Sequence, residues 1–484
     1  MKKHLKHIVL FSIVIISFLM HYKHFSKDLI SIHSWRQTQT QSTINNFYEE
    51  DMNILNPRRN ERGNGEGIFR MEFPLMQWLV ASSYHVFGNN IVVTRLFMFV
   101  IGLLSILGMY KLLFVLFNKE LLALIGAWAF NFSPSFYYYT INPLPDNLAL
   151  CCSIWGLVMF FSWKKSNRSI LLILCGVLLS IGALCKLPFI IYFIVPGTFL
   201  LVEMFRTKLY KKTISNSLLV FNPLLFPFAW YLTVIPQWKG NGIVGGMFDN
   251  STTFSTLVDY LQHNLISTLP ELLLNYGSVL FFIAGFYFLV KKKAFRNANF
   301  ILIFVLSIGV LAYFLFEINM IAKIHDYYLF PFYPLLFMLV GYGAFCLYSL
   351  EKPIFKIITI SLLCILPITC YIRMYERWIP ESPGFNKDLL EYKTELRDII
   401  PNDALIIVGN DVSRYISFYY IDKKGWGFDT DNLTSDKLTV MIDKGAQFLY
   451  SDSRKVDTNP LITPYLDTLV LEKGSIKVFR LKQQ

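Results

Sequence analysis

Charge is scarce in these 484 residues: Asp, Glu, Lys and Arg make up 16%, while hydrophobic residues reach 54%. With a mean hydropathy of +0.45, that scarcity excludes an ordinary soluble globular chain. Cysteine is also sparse. The seven (Cys151, Cys152, Cys175, Cys185, Cys346, Cys364 and Cys370) all fall in or beside apolar runs. This excludes a disulfide framework and a Cys-rich zinc site, and leaves buried, inert thiols. No Walker loop, HExxH or GxSxG occurs, so energy for a reaction would come from an activated substrate rather than from ATP. Gly409-Asn410-Asp411 follows a strand-like run without a GxGxxG, and nucleotide binding is not inferred. Internal repeats and low-complexity tracts are absent as well.

What the chain has is apolar runs, each of about 18 to 25 residues and so long enough to cross a bilayer. They lie near 8–24, 92–117, 121–139, 147–163, 169–185, 187–205, 214–235, 275–290, 298–316, 327–349 and 354–372. The net charge of +12 is concentrated in alternate connectors, which carry Lys2 and Lys3; Lys119; Lys164 and Lys165; Lys211 and Lys212; Lys291 and Lys292; Lys352 and Lys356. That placement follows the positive-inside rule and argues against a nucleic-acid partner. Basic residues precede the first span, and bulky Met20-His21-Tyr22-Lys23 follows it where a cleavage site would need small residues. An uncleaved signal anchor is expected. These features predict a polytopic α-helical membrane protein of about eleven spans in the cytoplasmic (inner) membrane. Its N-terminus would be cytoplasmic and its C-terminus extracytoplasmic.

The composition predicts two domains. Residues 1–372 form the transmembrane domain, including a first outer loop at 25–91, and 373–484 form a small extracytoplasmic α/β domain. Strand-length apolar runs occur at Ala404–Val408, Ser417–Ile421, Leu438–Ile442 and Phe448–Tyr450, with a hairpin at Leu469–Val478 and a helix over Asp388–Ile399. In the first loop, Leu75, Trp78, Leu79, Ser82 and Val86 share one helical face, which predicts an interfacial helix ending at Gly88.

Candidate site residues cluster at outer span ends and in the first loop. His33-Ser34-Trp35-Arg36-Gln37, Asn56-Pro57-Arg58-Arg59 and Glu72-Phe73-Pro74-Leu75 make that loop unusually rich in charge for a connector. Arg36, Arg58 and Arg59 either are solvated or hold a phosphate through forked hydrogen bonds. Asp146 either caps the following helix or acts in catalysis. Lys186 either snorkels or contacts a phosphate, and its outward position runs against the positive-inside bias. In His325-Asp326-Tyr327-Tyr328 the tyrosines suit an interfacial belt, whereas His325 and Asp326 suit phosphate contact or proton relay. The acids lack tight ligand spacing, so no cofactor and no essential metal is expected.

Taken in order, these segments, with Gly88, Thr94-Arg95-Leu96, Pro145-Asp146, Lys186 and His325-Asp326-Tyr327-Tyr328, resemble the C-type (GT-C) glycosyltransferases over the first 350 residues or so. The likeness is to the branch of protein O-mannosyltransferases and aminoarabinose transferases, including a bacterial subgroup with HSWRQ and EFP segments. The resemblance implies transfer of a sugar from a polyprenyl-phosphate donor to a glycan, lipid or protein acceptor in cell-envelope chemistry. Where relatives carry Asp-Glu before Arg, this chain reads His33-Ser34 before Arg36. Where they carry Lys before Pro-Pro-Leu, it reads Glu72-Phe73-Pro74-Leu75. On that basis Glu72 would orient His33 as base, or Asp146 would be the base instead. Trp35, Arg36, Arg58, Arg59, Lys186, His325, Asp326 and Tyr327 would bind substrate, with Arg58, Lys186 and His325 neutralising the departing phosphate. A lipid-linked glycan polymerase or ligase is the alternative. A transporter fits less well, because its site would lie near the midplane. A binding module on an anchor would not need eleven spans.

Overall fold

The computed structural model describes residues 2–63, 65–238, 245–248, 252–292, 298–429 and 432–482. The chain forms two compact units. Unit one comprises Met1–Phe25, Met71–Phe73 and Thr94–Tyr375; unit two comprises Ser26–Arg70, Pro74–Val93 and Glu376–Gln484.

Unit one is helical and spans the membrane several times. Among the described residues, seven helices are long and apolar enough to cross a bilayer: Lys6–His24, Ile91–Phe117, Pro145–Ser166, Leu187–Thr207, Tyr210–Gln237, Asp326–Tyr348 and Pro353–Trp378. Four shorter apolar helices, Glu120–Asn131, Ser169–Cys185, Val279–Lys291 and Phe300–Phe316, fall on the remaining expected spans. The span expected over 121–139 is broken. Its first helix ends at Asn131, and Pro134 opens a second short helix, Pro134–Tyr139. Proline has no N–H to continue the first helix but suits the first position of the next. Small residues set the close approaches between helices: a Cβ on Gly341 would stand 3.2 Å from the Gly126 Cα.

Unit two is built on a five-stranded sheet of β1 (Leu405–Val408), β2 (Lys424–Gly427), β3 (Phe448–Ser451), β4 (Leu466–Lys473) and β5 (Ile476–Leu481), in the order β2-β1-β3-β5-β4. β1 is parallel to both β2 and β3, whereas β5 is antiparallel to β3 and β4. Two runs expected as strands are helical. Ser417–Ile421 lies within the helix Ile416–Ile421, and Leu438–Ile442 within Ser435–Asp443. Ile416–Ile421 is buried at every position, and a short, wholly apolar run does not distinguish strand from buried helix. The second helix is set by a cap: the Thr434 side chain accepts from the Lys437 N–H. β2 escapes the sequence pattern because two of its four residues are glycine.

The expected boundary, with 25–91 assigned to the spans, differs from the observed grouping. Residues 26–70 belong with the C-terminal sheet because Asn60–Arg62 runs along the free edge of β2. Gly425 N–H donates to Asn60 O at 3.1 Å, and Arg62 N–H donates to Gly425 O at 2.7 Å. Gly425 adopts φ +154°, and a Cβ there would lie 1.8 Å from Ile406 O. Ion pairs reinforce the edge: Arg414 joins Glu61 at 3.0 Å and Asp429 at 3.1 Å, and Lys424 joins Glu50. The helix Leu75–Phe87 also belongs to this unit and stops at Gly88 as expected. It buries Met76, Gln77, Val80, Ala81 and Tyr84. The predicted apolar face with Leu75, Trp78, Leu79 and Val86 is the less buried one.

Candidate active site

Proline positions Asp146. Pro145 takes the first turn of the helix Pro145–Ser166, where a missing N–H costs nothing, and Leu144 rather than Asp146 is the N-cap residue. Asp146 thus sits in the first turn, where the helix dipole favours an anion. The connector before it is pinned. Arg95 donates to Asn142 Oδ1 at 2.5 Å, and Asn147 Nδ2 donates to Tyr139 O at 2.7 Å and Asn142 O at 3.2 Å. Asp146 is 1% exposed.

A second helix break positions Lys186. The helix Ser169–Cys185 ends there, with Lys186 extended and Pro188 opening a 3-10 turn over Leu187–Phe193. Lys186 Nζ lies 3.8 Å from Asp146 Oδ1. It also stands over two rings, 4.5 Å from the Tyr328 centroid and 5.7 Å from that of Tyr327. A carboxylate and two ring faces make this place favourable for a partly buried ammonium.

His325 and Asp326 begin the 3-10 helix Asp326–Phe332. His325 Nδ1 is 2.6 Å from Met320 O, so Nδ1 donates and the ring orientation is defined. Burial holds the His325 pKa below its ordinary value, against the opposing pull of Met320 and Asp326. Asp326 accepts from Tyr139 Oη at 2.7 Å and Ser135 Oγ at 3.0 Å. It thereby ties its segment to the short helix Pro134–Tyr139. Tyr327 is 1% exposed.

Glu72 reaches the same unit through its neighbours. Phe73 N–H donates to Leu184 O at 3.0 Å, Trp230 Nε1 donates to Met71 O at 3.0 Å, and the Phe73 and Trp230 rings meet edge to face. Tyr231 Oη donates to the same Leu184 carbonyl at 2.9 Å and lies within electrostatic range of both Glu72 and Asp146.

Two contributors were given no role from the sequence, although Glu317 stands among the ionisable groups at outer span ends. Tyr328 passes for a belt tyrosine, yet it is the ring nearest Lys186. Glu317 is buried, and burial pushes its carboxyl up to about 7 although Lys186 pulls it down. Its Oε2 has no hydrogen-bond partner among the described residues. Its signal was an acid immediately after an apolar helix end.

The remaining candidates belong to unit two. His33 is buried at the N-cap of the helix Ser34–Glu49, in left-handed backbone with φ +54°. Unit two therefore holds His33 and unit one holds Glu72, so neither unit by itself contains the expected pair. Trp35 packs against the sheet core. Arg36 is buried and donates to Gln39 Oε1 at 2.5 Å. Arg58 is engaged by Glu66 at 2.9 Å, Glu50 at 3.1 Å and Asp51 at 3.8 Å. Arg59 pairs with Glu61 at 3.3 Å and lies 4.4 Å over the Phe69 ring. Arg58 and Arg59, expected to hold phosphate, are each paired with carboxylates in this structure. Among the described residues, no three His, Cys, Asp or Glu side chains are grouped to hold a metal ion.

The fold is similar to those of solved sugar-transferring membrane enzymes over nearly the whole chain. ArnT from Cupriavidus metallidurans in the apo state superposes with a TM-score of 0.67 at 13% identity, over 98% of this chain and 97% of that one. The same protein bound to undecaprenyl phosphate gives 0.64 at 13% identity, with the same coverage. The Archaeoglobus fulgidus oligosaccharyltransferase in its apo form gives 0.60 at 11% identity, over 100% of this chain and 75% of that one. Residues 72–231, a third of the chain, match the model of the dolichyl-phosphate-mannose-protein mannosyltransferase family. No curated protein sequence matches.

Proposed function

We infer that this chain is an integral-membrane glycosyltransferase that moves a sugar from a polyprenyl-phosphate donor to an acceptor on the outer face of the cytoplasmic membrane. The observation that carries this reading is the partly buried Lys186 ammonium, held 3.8 Å from the buried Asp146 and over the Tyr328 ring in a fold shared with such transferases. In the reaction the acceptor oxygen or nitrogen bonds to the sugar C1 as the C1–O bond to the lipid phosphate breaks. The electron pair leaves with the phosphate and the acceptor proton goes to a carboxylate. Lys186, with His325 beside it, stabilises the charge that develops on the leaving phosphate. Asp146 takes the acceptor proton, and Glu72 orients the acceptor. His33 is the second candidate for that proton. Substrate-side roles for Trp35, Arg36, Arg58, Arg59, Asp326 and Tyr327 belong to the same proposal, as do the N-terminus inside and the sheet outside.

The test is transfer from a synthetic polyprenyl-phosphate sugar by the purified full chain in lipid nanodiscs. Asp146→Asn should lose at least 100-fold in rate, and Lys186→Gln a comparable amount. Loss in Asp146→Asn with retention in His33→Gln assigns the proton to Asp146, and the opposite result assigns it to His33. Undiminished transfer in both Glu72→Gln and Asp146→Asn would overturn the scheme.

A further inference from the structure

We propose that a polar pocket within unit two, between the helix Ser34–Glu49, the turn at Asn402 and the start of β2 at Lys424, binds one or two rings of a neutral glycan. The cavity holds about 250 Å³, a little below the roughly 300 Å³ at which pockets for drug-sized ligands begin. Unlike those pockets it has a polar floor. Ser42, Asn46, Asn60 and Lys423 line it, and each is less than 10% exposed. A floor of buried carboxamides and an ammonium contributes little to packing, and burying such groups is costly unless they are bonded.

The floor groups are held in fixed orientations. Asn46 Nδ2 donates to Arg58 O at 3.1 Å and to Asn60 Oδ1 at 2.9 Å. Asn60 Nδ2 donates to Phe418 O at 3.5 Å, and Lys423 Nζ donates to Asn402 Oδ1 at 3.1 Å. With both amide hydrogens of Asn46 used, its Oδ1 is the acceptor left over. With Asn402 Oδ1 accepting, its Nδ2 is the donor left over. Tyr419 also lines the cavity, its ring edge to face with Tyr420.

The lining chemistry narrows the ligand. Glu49 and Asp422 balance Lys423 and Lys424, so no net charge is offered to an ionic ligand, and the two carboxylates repel a phosphate. Among the described residues no three His, Cys, Asp or Glu side chains are grouped to hold a metal ion. The surface is too polar for a lipid chain or an apolar peptide. What remains is a ligand that presents alternating donors and acceptors and one apolar ring face, which describes an uncharged sugar. That this sugar belongs to the acceptor rests on the transferase assignment above; that the pocket holds a sugar does not.

The experiment is saturation-transfer NMR on the full chain in nanodiscs with maltose, chitobiose, glucuronate and inorganic phosphate as probes. At least one neutral disaccharide should bind. Its affinity should fall tenfold or more in Asn46→Leu and in the double variant Asn402→Ala/Asp422→Ala, at two exposed positions, with thermal melts showing that each variant is folded. Absence of binding by both neutral disaccharides overturns the proposal, as does unchanged binding in the double variant or equal binding of phosphate. If both Asp146→Asn and Glu72→Gln retain transfer while sugar binding behaves as stated, the transferase scheme fails and the pocket stands. If the pocket variants bind sugar normally while Asp146→Asn is inactive, the pocket fails and the transferase stands.

Discussion

Lys186 and the buried Asp146 form a partly buried ion pair, Nζ to Oδ1 at 3.8 Å, although 40 positions separate them and each sits at its own proline-induced break. Pairs of this kind contribute less through net stability than through the cost of leaving one partner alone. Asp146→Ala and Lys186→Ala should therefore each destabilise the protein more than their combination implies. A double-mutant cycle on unfolding in detergent should give a coupling of about 1–3 kcal/mol; additive effects would show that the pair is not formed.

Glu317 makes stability depend on pH. Its carboxyl lies at about 7 in the folded protein against 4.5 in the unfolded chain, raised by burial. The folded state therefore keeps a proton that the unfolded state loses between those values. Stability should fall as pH rises from 4.5 to 7, by at most on the order of 3 kcal/mol, and should be level on either side. Glu317→Gln should flatten that profile in thermal melts taken across the window.

Glu50 has the opposite sign. Burial alone would raise its pKa, but hydrogen bonds and charge from Arg62 and Lys424 outweigh burial and hold it at about 2. Its stabilising contribution is complete above pH 4.5 and is lost as pH falls toward 2. Glu50→Gln should loosen the segment 50–63, read as at least tenfold faster amide exchange at neutral pH, with the difference from wild type vanishing near pH 2.

Gly425→Ala should damage unit two selectively. The substitution places a methyl against Ile406 O and demands a backbone conformation that other residues rarely adopt. A loss of about 3 kcal/mol or more is expected. Limited proteolysis should cut near Asn60–Arg62 in the variant while leaving the fragments of unit one intact; an unchanged pattern would show that the edge pairing is dispensable.

Periodic features were legible in the sequence. All eleven apolar runs correspond to apolar helices, and Gly88 ends its helix where expected, because span length and a glycine stop are local properties. β1, β3 and the hairpin β4–β5 were legible for the same reason. The helices at Ile416–Ile421 and Ser435–Asp443 were not: the first is buried at every position and has no period to read, and the second shows its helical spacing in only two buried residues, Leu438 and Ile442. The candidate site was half legible. Asp146, Lys186 and His325 stood out as ionisable groups beside apolar runs, whereas Tyr328 resembled any interfacial tyrosine.

By itself the sequence determined a multi-pass membrane protein with polar groups at its span ends, because hydrocarbon admits only long apolar helices and expels charge. Which charges meet was decided only in three dimensions. The breaks at Pro145 and Pro188 bring Lys186 to Asp146, while the open edge of β2 takes up Asn60–Arg62. The segment with Arg58 and Arg59 is thereby drawn among carboxylates and joined to the C-terminal sheet. Distances between residues far apart in the chain depend on packing and edge pairing, and no local pattern encodes them.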